Sequence, residues 1–482
     1  MITRTKVICT IGPASSTQEM LAKLLDEGMN VARLNFSHGT HESHGEIIRM
    51  LKKLREQKQA PLAIMLDTKG PEIRLGFIPT PIKVTQGQKI TLLNKKVEGT
   101  TKGGVSLLPS GIFPYVHEGV DVLIDDGYLH GVVTASGTDS LELEFINSGE
   151  LKSHKSLSIR GLDVALPFMT EQDISDLKFG VEQGIDIIAA SFVRYGEDIE
   201  TMRKCLKDFG SPHLPIIAKI ENRLGVENFL QIVKLADGIM IARGDLGIEL
   251  SVVEVPNLQK MMTKVSRETG RLCVTATQML ESMMRNVLPT RAEVSDIANA
   301  IYDGTSAVML SGETASGQHP IAAVRMMRAV IQETEKNLSY EAFLVLDDSQ
   351  SAVKVSPCLA SIGLAGIQIA EKANAKAIIV YTESGSTPIF LSKYRPKFPI
   401  IAVTPNASVY YRLALEWSVY PMLTHEVERT IWRREACLYG IEQGILSNYD
   451  RILVLSRGAD IKETNNLTLT IVNDILTNTT SC

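Results

Sequence analysis

Short runs rich in Val, Ile and Leu alternate with amphipathic helical stretches over most of the chain. Such alternation is typical of β/α units that build a parallel sheet. In the first two thirds of the chain the runs cover residues 6–11, 30–36, 62–67, 185–191, 215–220, 238–243, 272–277 and 306–310. Eight such units predict an α/β fold with a closed (β/α)8 TIM barrel.

A segment of different texture separates the third run from the fourth. Residues 71–166 are rich in Gly and show period-two alternation, as in the sequence Leu-Glu-Leu-Glu-Phe at 141–145. Period two is typical of half-buried β-strands rather than of helices. The pattern predicts a small β-barrel domain inserted into a barrel that spans residues 1–70 and 167–340.

The two connections between the barrel and this insert, at residues 69–71 and 165–167, contain Gly or Pro. Because these residues interrupt regular structure, the insert is interpreted as a hinged lid. Beyond about residue 340 new β/α alternation begins, with strand-like runs at 377–382, 399–404, 451–455 and 467–472. Residues 341–482 are therefore predicted to form a doubly wound α/β domain.

The composition excludes several classes of protein. A formal net charge of -5 argues against nucleic-acid binding, which usually requires a basic surplus. The six cysteines are scattered without CxxC pairs, which favours reduced thiols and a cytoplasmic location. No apolar signal core follows the first residues, and no stretch approaches the roughly 20 apolar residues that cross a bilayer. Export and membrane association are therefore not expected.

Acidic residues close two neighbouring runs. In a β/α barrel the active site is built at the carboxyl ends of the strands, so the polar residues there are the candidates. Glu221 closes the fifth run and Asp245 the sixth. Two convergent carboxylates that leave other positions to water and substrate suit Mg²⁺. The alternative is a pair of surface carboxylates in ion pairs with helix lysines.

Cationic residues lie beside these carboxylates. Lys219 precedes Glu221 by two positions, so both side chains point to the same side of the strand. Its ammonium could neutralise a transferring phosphoryl group, extend along the barrel wall to solvent, or act as a Schiff-base nucleophile with a lowered pKa. Arg33 and Arg74 offer planar forks for phosphate oxygens. A phosphorylated ligand is predicted, although either arginine could be a structural ion-pair partner.

Two further groups of residues close the barrel runs. Residues 242–247 (ARGDLG) follow a strand and open a predicted helix, where backbone N–H groups can approach an anion such as a carboxylate. Many turns of this kind are only tight connections. Four residues offer hard oxygen ligands with one formal charge, which would suit a monovalent cation or, alternatively, cap the following helices. They are Asn35, Ser37, Asp67 and Thr68.

Eight segments of the predicted barrel together carry a family resemblance. They are residues 5–13 (TKVICTIGP), 30–38 (NVARLNFSH), 66–74 (LDTKGPEIR), 218–222 (AKIEN), 242–247 (ARGDLG), 275–281 (TATQMLE), 289–296 (PTRAEVSD) and 309–314 (MLSGET). This set closely resembles the pyruvate kinase family and covers the whole barrel.

The resemblance implies the last step of glycolysis, in which the phosphoryl group of phosphoenolpyruvate passes to ADP to give ATP and enolpyruvate. Enolpyruvate is then protonated to pyruvate. The catalytic residues it implies are Arg33, Lys219 and Thr277, of which Arg33 and Lys219 hold the phosphoryl group. Lys219 stabilises the transition state of the transfer. The substrate's carboxylate end meets Gly244, Asp245 and Thr277.

The resemblance also implies cofactors, a nucleotide site and an assembly. Mg²⁺ or Mn²⁺ binds Glu221 and Asp245, and Glu72 is the residue type of members that need K⁺. The implied K⁺ ligands are Asn35, Ser37, Asp67 and Thr68. The implied nucleotide-binding residues are Asn35, Ser37, His38, Arg74 and Lys155. The family is usually homotetrameric, so a homotetramer is expected.

A loop in the last domain resembles the family's effector site, which implies a sugar-phosphate or nucleotide effector. It follows a strand, and its hydroxyls and backbone N–H groups could surround a phosphate. The residues concerned are Thr382, Ser384, Gly385, Ser386 and Thr387. A plain Ser/Thr turn fits them equally well, and Ser386 stands where many family loops carry a basic residue. Arg457-Gly458 is a candidate for the facing loop.

Two other functions remain as alternatives. A Schiff-base aldolase on the same barrel would use Lys219 as its nucleophile. A non-catalytic sugar-phosphate sensor would keep the loop at residues 382–387 but would not need Lys219, Glu221 and Asp245.

Overall fold

The first elements of the chain are β/α units. The computed structural model describes residues 2–109, 111–125, 127–160, 167–340, 351–353, 355–457 and 464–477. The chain opens with β1 (Lys6–Thr10), α1 (Gln18–Glu27), β2 (Val31–Asn35), α2 (His41–Gln57) and β3 (Ala63–Asp67). Helix α1 begins where the Thr17 hydroxyl accepts the Met20 N–H, and it ends at Gly28, whose φ of 118° suits glycine.

Nine strands of the insert follow within its described residues. They are β4 (Arg74–Leu75), β5 (Ile82–Val84), β6 (Lys89–Leu93), β7 (Val105–Leu108), β8 (Asp121–Ile124), β9 (Leu129–Ser136), β10 (Ser140–Phe145), β11 (Gly149–Leu151) and β12 (Leu157–Ile159). Seven form a sheet in the order β12-β8-β9-β10-β6-β7-β4, and an isolated bridge between Arg74 and Ser156 brings its two edges together. The predicted small β-barrel is confirmed as this nearly closed sheet.

The chain then returns to β/α units. The strands are β13 (Ile187–Ala190), β14 (Ile216–Ile220), β15 (Gly238–Ala242), β16 (Leu272–Ala276) and β17 (Ala307–Leu310). The helices are α3 (Glu171–Glu182), α4 (Gly196–Asp208), α5 (Arg223–Glu227), α6 (Phe229–Leu235), α7 (Arg243–Glu249), α8 (Val255–Glu268), α9 (Arg291–Asp303), α10 (Gly312–Ala315) and α11 (Pro320–Lys336).

Eight of the described strands close into a parallel barrel in the order β1-β17-β16-β15-β14-β13-β3-β2. Each lies within one of the eight predicted runs, so the predicted barrel is confirmed. The strands are apolar on both sides because Val31 and Met65 fill the interior while Leu34 and Leu66 pack against the helices. No helix in the described ranges is long and apolar enough to cross a membrane.

The C-terminal sheet contains one strand that sequence analysis missed. Its elements are α12 (Pro357–Lys372), β18 (Ala377–Tyr381), α13 (Ser386–Lys393), β19 (Ile400–Thr404), α14 (Ala407–Arg412), β20 (Val419–Leu423), α15 (Arg429–Glu442), β21 (Arg451–Arg457), β22 (Thr464–Ile471) and α16 (Val472–Thr477). Among described residues the strand order is β20-β19-β18-β21-β22, and β22 alone is antiparallel. Pro421 obscured β20 in the sequence, but an edge strand tolerates proline.

Helices cover both faces of this sheet, which confirms the doubly wound prediction. Residues of α12 and α13 pack on one face, including Ile367 and Phe390. Residues of α15 and α16 pack on the other, including Trp432 and Val472. The predicted domain boundaries at residues 70, 166 and 340 stay predictions. Near the second and third of them, residues 161–166 and 341–350 lie outside the described ranges.

Candidate functional site

Side chains alternate along each barrel strand, and those that face the interior include a group of polar residues at one end of the barrel. Arg33 continues the inward-facing series of Val31, and Asp67 continues that of Met65. Lys219 follows Ile217 with the same period of two. Because all the strands are parallel, these residues meet at the carboxyl end of the barrel.

Lys219 is the centre of this cluster. Its Nζ lies 2.9 Å from Asp67 Oδ1, 3.0 Å from Glu221 Oε1 and 2.7 Å from Ser191 Oγ. Burial by itself would lower the pKa of Lys219, but the carboxylates of Asp67 and Glu221 raise it above its ordinary value. The lysine is therefore a fixed ammonium ion directed at the predicted metal ligands, and not a side chain that extends along the wall to solvent.

Asp67 joins the two predicted phosphate-binding cations. Its Oδ2 accepts a 2.6 Å hydrogen bond from Arg33 Nε while Oδ1 faces Lys219. Burial alone would raise the pKa of Asp67, but Arg33 and Lys219 outweigh it and hold the pKa below the ordinary value. Arg33 Nη1 also donates to Thr10 Oγ1 at 2.8 Å, so the guanidinium is held at two points.

Ser191 belongs to the cluster, although sequence analysis did not select it. Its Oγ lies 3.1 Å from Asp67 Oδ1 and 2.5 Å from the Thr68 carbonyl oxygen. Its backbone N–H donates to Thr68 Oγ1 at 3.0 Å. Position at the end of the fourth run, in phase with the inward-facing Ala189, is the signal that could have identified it.

Glu221 and Asp245 supply the carboxylates that a divalent metal would need. Glu221 Oε2 accepts the Phe192 N–H at 2.6 Å, which fixes the carboxylate beside Lys219. Asp245, in the first turn of α7, is near enough to contribute to the raised pKa of Lys219. In the described ranges no group of three His, Cys, Asp or Glu side chains is arranged to hold a metal. Two carboxylates with room for water and substrate oxygens fit Mg²⁺.

The predicted carboxylate-binding residues lie at the start of α7. The Gly244 N–H donates to Thr277 Oγ1 at 2.7 Å. Thr277 and Gln278 have φ angles of 66° and 54°, a left-handed conformation that is costly for non-glycine residues. The strained turn places the Thr277 hydroxyl against the helix start.

Arg243 holds this turn in place, and sequence analysis gave it no role. Its Nη2 donates to the Thr277 carbonyl at 2.8 Å, and its Nη1 donates to Asp296 Oδ1 at 2.7 Å. Its Nη1 also lies 3.2 Å from Gln259 Oε1. One guanidinium thus ties the turn to α8 and α9, which fits a positioning residue with several directed donors.

The four predicted K⁺ ligands lie on or just beyond neighbouring strands. Asn35 pairs with Asp67 in the register of β2 and β3, and Thr68 follows directly. Asn35 Oδ1 accepts the Ser37 N–H at 3.1 Å in a local turn, whereas the following helix α2 is capped by Thr40. The Ser37–His38 turn is also held by α2, since His44 Nε2 lies 2.7 Å from the His38 carbonyl oxygen.

The predicted nucleotide-binding residues Arg74 and Lys155 of the lid each form an ion pair within the lid or at its entry. Arg74 Nη2 lies 2.6 Å from Glu72 Oε2, and Arg74 Nη1 donates to the His154 carbonyl at 2.9 Å. Lys155 Nζ lies 2.7 Å from Asp125 Oδ1. Leu75 N–H donates to the Lys155 carbonyl, so Arg74 and Lys155 lie on adjacent segments of one sheet.

The lid contacts the barrel through the helix that carries Gly244 and Asp245. Ser158 in β12 donates to Glu249 at the end of α7, and Arg160 Nε donates to the Ile248 carbonyl at 3.2 Å. Burial raises the pKa of Glu249, which Ser158 and Arg160 partly offset. A movement of the lid would therefore act directly on α7.

The predicted effector loop borders a separate cavity of about 580 Å³. The Thr382 hydroxyl accepts the Gly385 N–H at 2.9 Å, and Gly385 has a φ of 80° that suits glycine. The Ser384 and Ser386 hydroxyls lie 2.9 Å apart, and Thr387 contacts Thr464. Arg457 faces this loop through an ion pair with Glu383 at 2.9 Å; its neighbour at 458 lies outside the described residues.

The closed barrel, the inserted lid and the strand-end cluster of cations and carboxylates define a phosphoryl-transferring β/α-barrel enzyme. Comparison with known proteins agrees. The barrel domain of pyruvate kinase matches residues 2–324, and the alpha/beta domain of pyruvate kinase matches residues 360–470. The chain belongs to the pyruvate kinase family, and is accordingly a phosphotransferase.

Relatives match over nearly the whole length. The pyruvate kinase of Chlamydia pneumoniae is 80% identical over 477 residues, with 99% of each chain covered. That of Geobacillus stearothermophilus is 41% identical over 479 residues, covering 98% of this chain and 81% of the relative. A crystal structure of a pyruvate kinase from Cryptosporidium parvum has a TM-score of 0.90 at 35% identity, covering 98% of this chain and 96% of that one.

Neither alternative function agrees with these findings. A Schiff-base lysine needs a lowered pKa, whereas the pKa of Lys219 is raised by its carboxylate partners. A non-catalytic sensor would have no need for Lys219, Glu221 and Arg33 to be assembled around Asp67. The full-length matches are to pyruvate kinases.

Proposed function

We propose that phosphoryl transfer from phosphoenolpyruvate to ADP is carried by Lys219 and Arg33. The observation that carries the proposal is Asp67, whose two oxygens hold the two cations at 2.9 and 2.6 Å. Phosphoryl transfer asks a protein mainly for alignment and charge stabilisation, because the migrating group carries its charge on three oxygens. A shared carboxylate presents both cations in fixed positions before substrate binds.

The substrate's carboxylate end is assigned to Gly244, Asp245 and Thr277. The support is the bond from the Gly244 N–H to the Thr277 hydroxyl, which joins a helix start to a strand end at one point. Helix starts favour anions because their first N–H groups lack helical partners. Binding here would direct the phosphoryl end of the substrate toward Lys219.

Glu221 and Asp245 would hold Mg²⁺ or Mn²⁺, and Asn35, Ser37, Asp67 and Thr68 would hold K⁺. A bound divalent ion supplies positive charge to the phosphoryl oxygens. The chain's own contribution is to fix the carboxylates, as Phe192 N–H does for Glu221 at 2.6 Å. The single acidic ligand of the second group, Asp67, fits a monovalent ion better than a divalent one.

Pyruvate formation from phosphoenolpyruvate and ADP is expected to require both ions. Removal of divalent metal with EDTA should reduce the rate to background, and replacement of K⁺ by tetramethylammonium should lower it about tenfold or more, because both ions stabilise transition-state charge. The measurement is an initial-rate pyruvate assay at constant ionic strength. A rate unaffected by removal of K⁺ would refute the monovalent site.

The nucleotide phosphates are assigned to the lid and its entry, at Arg74, Lys155, His38, Asn35 and Ser37. The supporting observation is that Arg74 and Lys155 occupy adjacent segments of the lid sheet. Their partners Glu72 and Asp125 are carboxylates that a phosphate could replace. Lid closure would also exclude water that could intercept the phosphoryl group.

Lys155→Met is expected to raise the KM for ADP about tenfold, because a hydrogen bond to a charged group contributes roughly 1.5–3 kcal/mol. The KM for phosphoenolpyruvate should change little, since the substrate contacts other residues. Initial rates measured against each substrate test this. Lys152→Met is the matched control, as Lys152 is also an exposed lid lysine near a carboxylate, Glu150. Equal effects of both substitutions on ADP would contradict the assignment.

The loop Thr382–Thr387 is assigned to a phosphorylated effector, either a sugar phosphate or a nucleotide. The support is its hydroxyl-lined cavity of about 580 Å³, with Arg457 on the facing side. In this structure Arg457 forms an ion pair with Glu383, so an effector phosphate would have to displace the Glu383 carboxylate. This arrangement favours a site that binds anions only when Glu383 moves aside.

A homotetramer of cytoplasmic location is also proposed. The support is that both the barrel and the C-terminal domain expose apolar residues, which subunit contacts could bury. On the barrel helices and adjoining loops they are Leu230, Val252, Val253, Val287, Leu288 and Tyr302, and on the C-terminal domain they are Ile431, Leu438, Tyr449 and Leu469.

The proposed domains are the barrel at residues 1–70 with 167–340, the lid at residues 71–166, and the C-terminal domain at residues 341–482.

A further inference from the structure

A cavity of about 760 Å³ lies at the opposite end of the barrel from Lys219. Its barrel wall contains Ile187 and Leu272, the first residues of β13 and β16, so it borders the amino ends of the strands. Its other wall contains Val409 and Leu413 of the C-terminal domain. The size is that of a small-molecule site, and the apolar walls fit the body of such a ligand.

The cavity also continues into a small recess of about 10 Å³, which has room for about one water molecule. Arg271 and Glu416 line both spaces. Within the described residues, six cations line the cavity and recess together, namely Arg203, Arg267, Arg271, Lys393, Arg395 and Arg412. The carboxylates are three, namely Asp237, Glu383 and Glu416. The lining therefore carries a surplus of positive charge.

Several of these guanidinium donors lack protein partners. Arg271 Nε and Arg412 Nε are buried without a hydrogen-bond partner, and Arg271 Nη1 lies 4.0 Å from Asp237 Oδ1. Burial lowers the pKa of both arginines. Glu416 compensates them incompletely, because burial raises its pKa to about 7 even though Arg395, Arg412 and Arg271 lower it.

Arg395 extends this pattern into the recess. It is 5% exposed, and its Nη2 donates to the Gly304 carbonyl at 3.0 Å and to Ser306 Oγ at 2.7 Å. Its Nε and Nη1 have no hydrogen-bond partner. Such buried donors are costly unless a polar or anionic group satisfies them. The guanidinium carbon lies 4.7 Å from the ring centroid of Trp417.

Arg412 connects the cavity to the effector loop. Its Nη2 donates to the Ser384 carbonyl, and it would lie 3.2 Å from a Cβ built on Gly385. Glu383, Ser384 and Ser386 line this cavity as well as the effector cavity. The effector loop therefore separates the effector cavity from this arginine-rich cavity.

We propose that the cavity of about 760 Å³, here called the floor cavity, is a second anion site. It takes a phosphorylated small molecule and is separate from the substrate site and from the effector cavity on the other side of the loop. A phosphomonoester is close to a dianion at neutral pH, which matches the surplus of charge. Arg271 and Arg412 present planar donors on two sides of the cavity, as phosphate recognition requires. The recess is too small for a phosphoryl group, so the group would lie at its mouth, against Arg271.

The test uses Trp417 as a local reporter. The chain has two tryptophans, and the other, Trp432, packs against Tyr381 on a different face of the C-terminal sheet. In the full-length Trp432→Phe variant, titration with inorganic phosphate should give a saturable change in Trp417 fluorescence. Chloride at matched ionic strength should give none. Phosphate bound at the other two sites would not contact Arg395 or Arg271, so a saturable change would report binding in this cavity. The absence of a saturable change would overturn the proposal.

Two further substitutions, each made separately in the Trp432→Phe variant, test where phosphate binds. Arg271→Gln and Arg412→Gln should each raise the phosphate midpoint about tenfold, the loss of about 1.4 kcal/mol of binding energy. Arg457→Gln, which alters the facing side of the effector cavity, should leave the midpoint within about twofold. An unchanged midpoint in both floor variants, with folding verified by circular dichroism, would refute the proposal. This readout is independent of catalysis, so it can fail while the proposed function holds.

Discussion

Lys219→Met should lower kcat for pyruvate formation about 10³-fold or more, since a cation on the migrating phosphoryl group is worth that much in related chemistry. The KM for phosphoenolpyruvate should change by less than about threefold. Arg33 and the residues assigned to the substrate carboxylate remain, so ground-state binding is largely retained. The charge of Lys219 matters most when the phosphoryl oxygens become electron-rich, which is why the loss falls on kcat.

The matched control for this substitution is Lys6→Met. Lys6 is also a buried barrel lysine, 3% exposed, but it opens β1 at the amino end and donates to the Val419 carbonyl at 2.7 Å. Its turnover should stay within about twofold of the parent enzyme, because it lies far from the reacting atoms. Thermal unfolding of both variants verifies that they fold. Near-normal turnover in folded Lys219→Met would refute the role given to this residue.

Arg243→Lys should raise the KM for phosphoenolpyruvate about tenfold and lower kcat about 10-fold to 100-fold, because a misplacement of about 1 Å can cost that much. Lysine keeps the charge but lacks the two separate nitrogens with which Arg243 reaches the Thr277 carbonyl and Asp296. The turn at Thr277 and Gln278, with its positive φ angles, should then relax and displace the Thr277 hydroxyl from Gly244.

The control for Arg243→Lys is Arg325→Lys. Arg325 also pairs with a carboxylate, that of Glu27, but its side chain is 67% exposed and its pair lies on α1 and α11. Kinetics of this variant should match the parent enzyme. A purely structural role for Arg243 would reduce the amount of folded enzyme without moving KM. Unchanged KM and kcat per folded molecule would therefore contradict a positioning role.

Most of the fold could be predicted because its signals are local. The eight barrel runs are buried on both sides, so they read as continuous apolar segments bounded by polar residues. Strand β20 could not be read in this way, since Val-Tyr-Pro-Met-Leu contains the residue that usually argues against a strand. Only its place at the sheet edge, set by pairing with β19, makes that proline acceptable.

The candidate site was predicted in part. Strand phase indicated that Lys219 and Glu221 share a side, and the structure places Nζ 3.0 Å from Oε1. The sequence offered Asp67 only as an oxygen ligand, whereas in the structure it also joins Arg33 to Lys219. The Arg33–Asp67 contact joins neighbouring strands across 34 positions of the chain, and the Lys219–Asp67 contact joins strands on either side of β13 across 152 positions. Strand pairing at such separations is encoded by no local pattern.

The amino-acid sequence by itself determined which residues face inward at the end of each strand, because side chains alternate with a fixed period of two. It also determined that these residues carry the charges suited to a phosphorylated substrate. Tertiary structure alone decided which charge meets which, and it added Ser191 and Arg243 to the site. It also gathered the arginines beneath the barrel, since Arg271 and Arg412 share a cavity only when two domains pack together. Electrostatic interactions depend on distance, and distance is fixed only when the chain has folded.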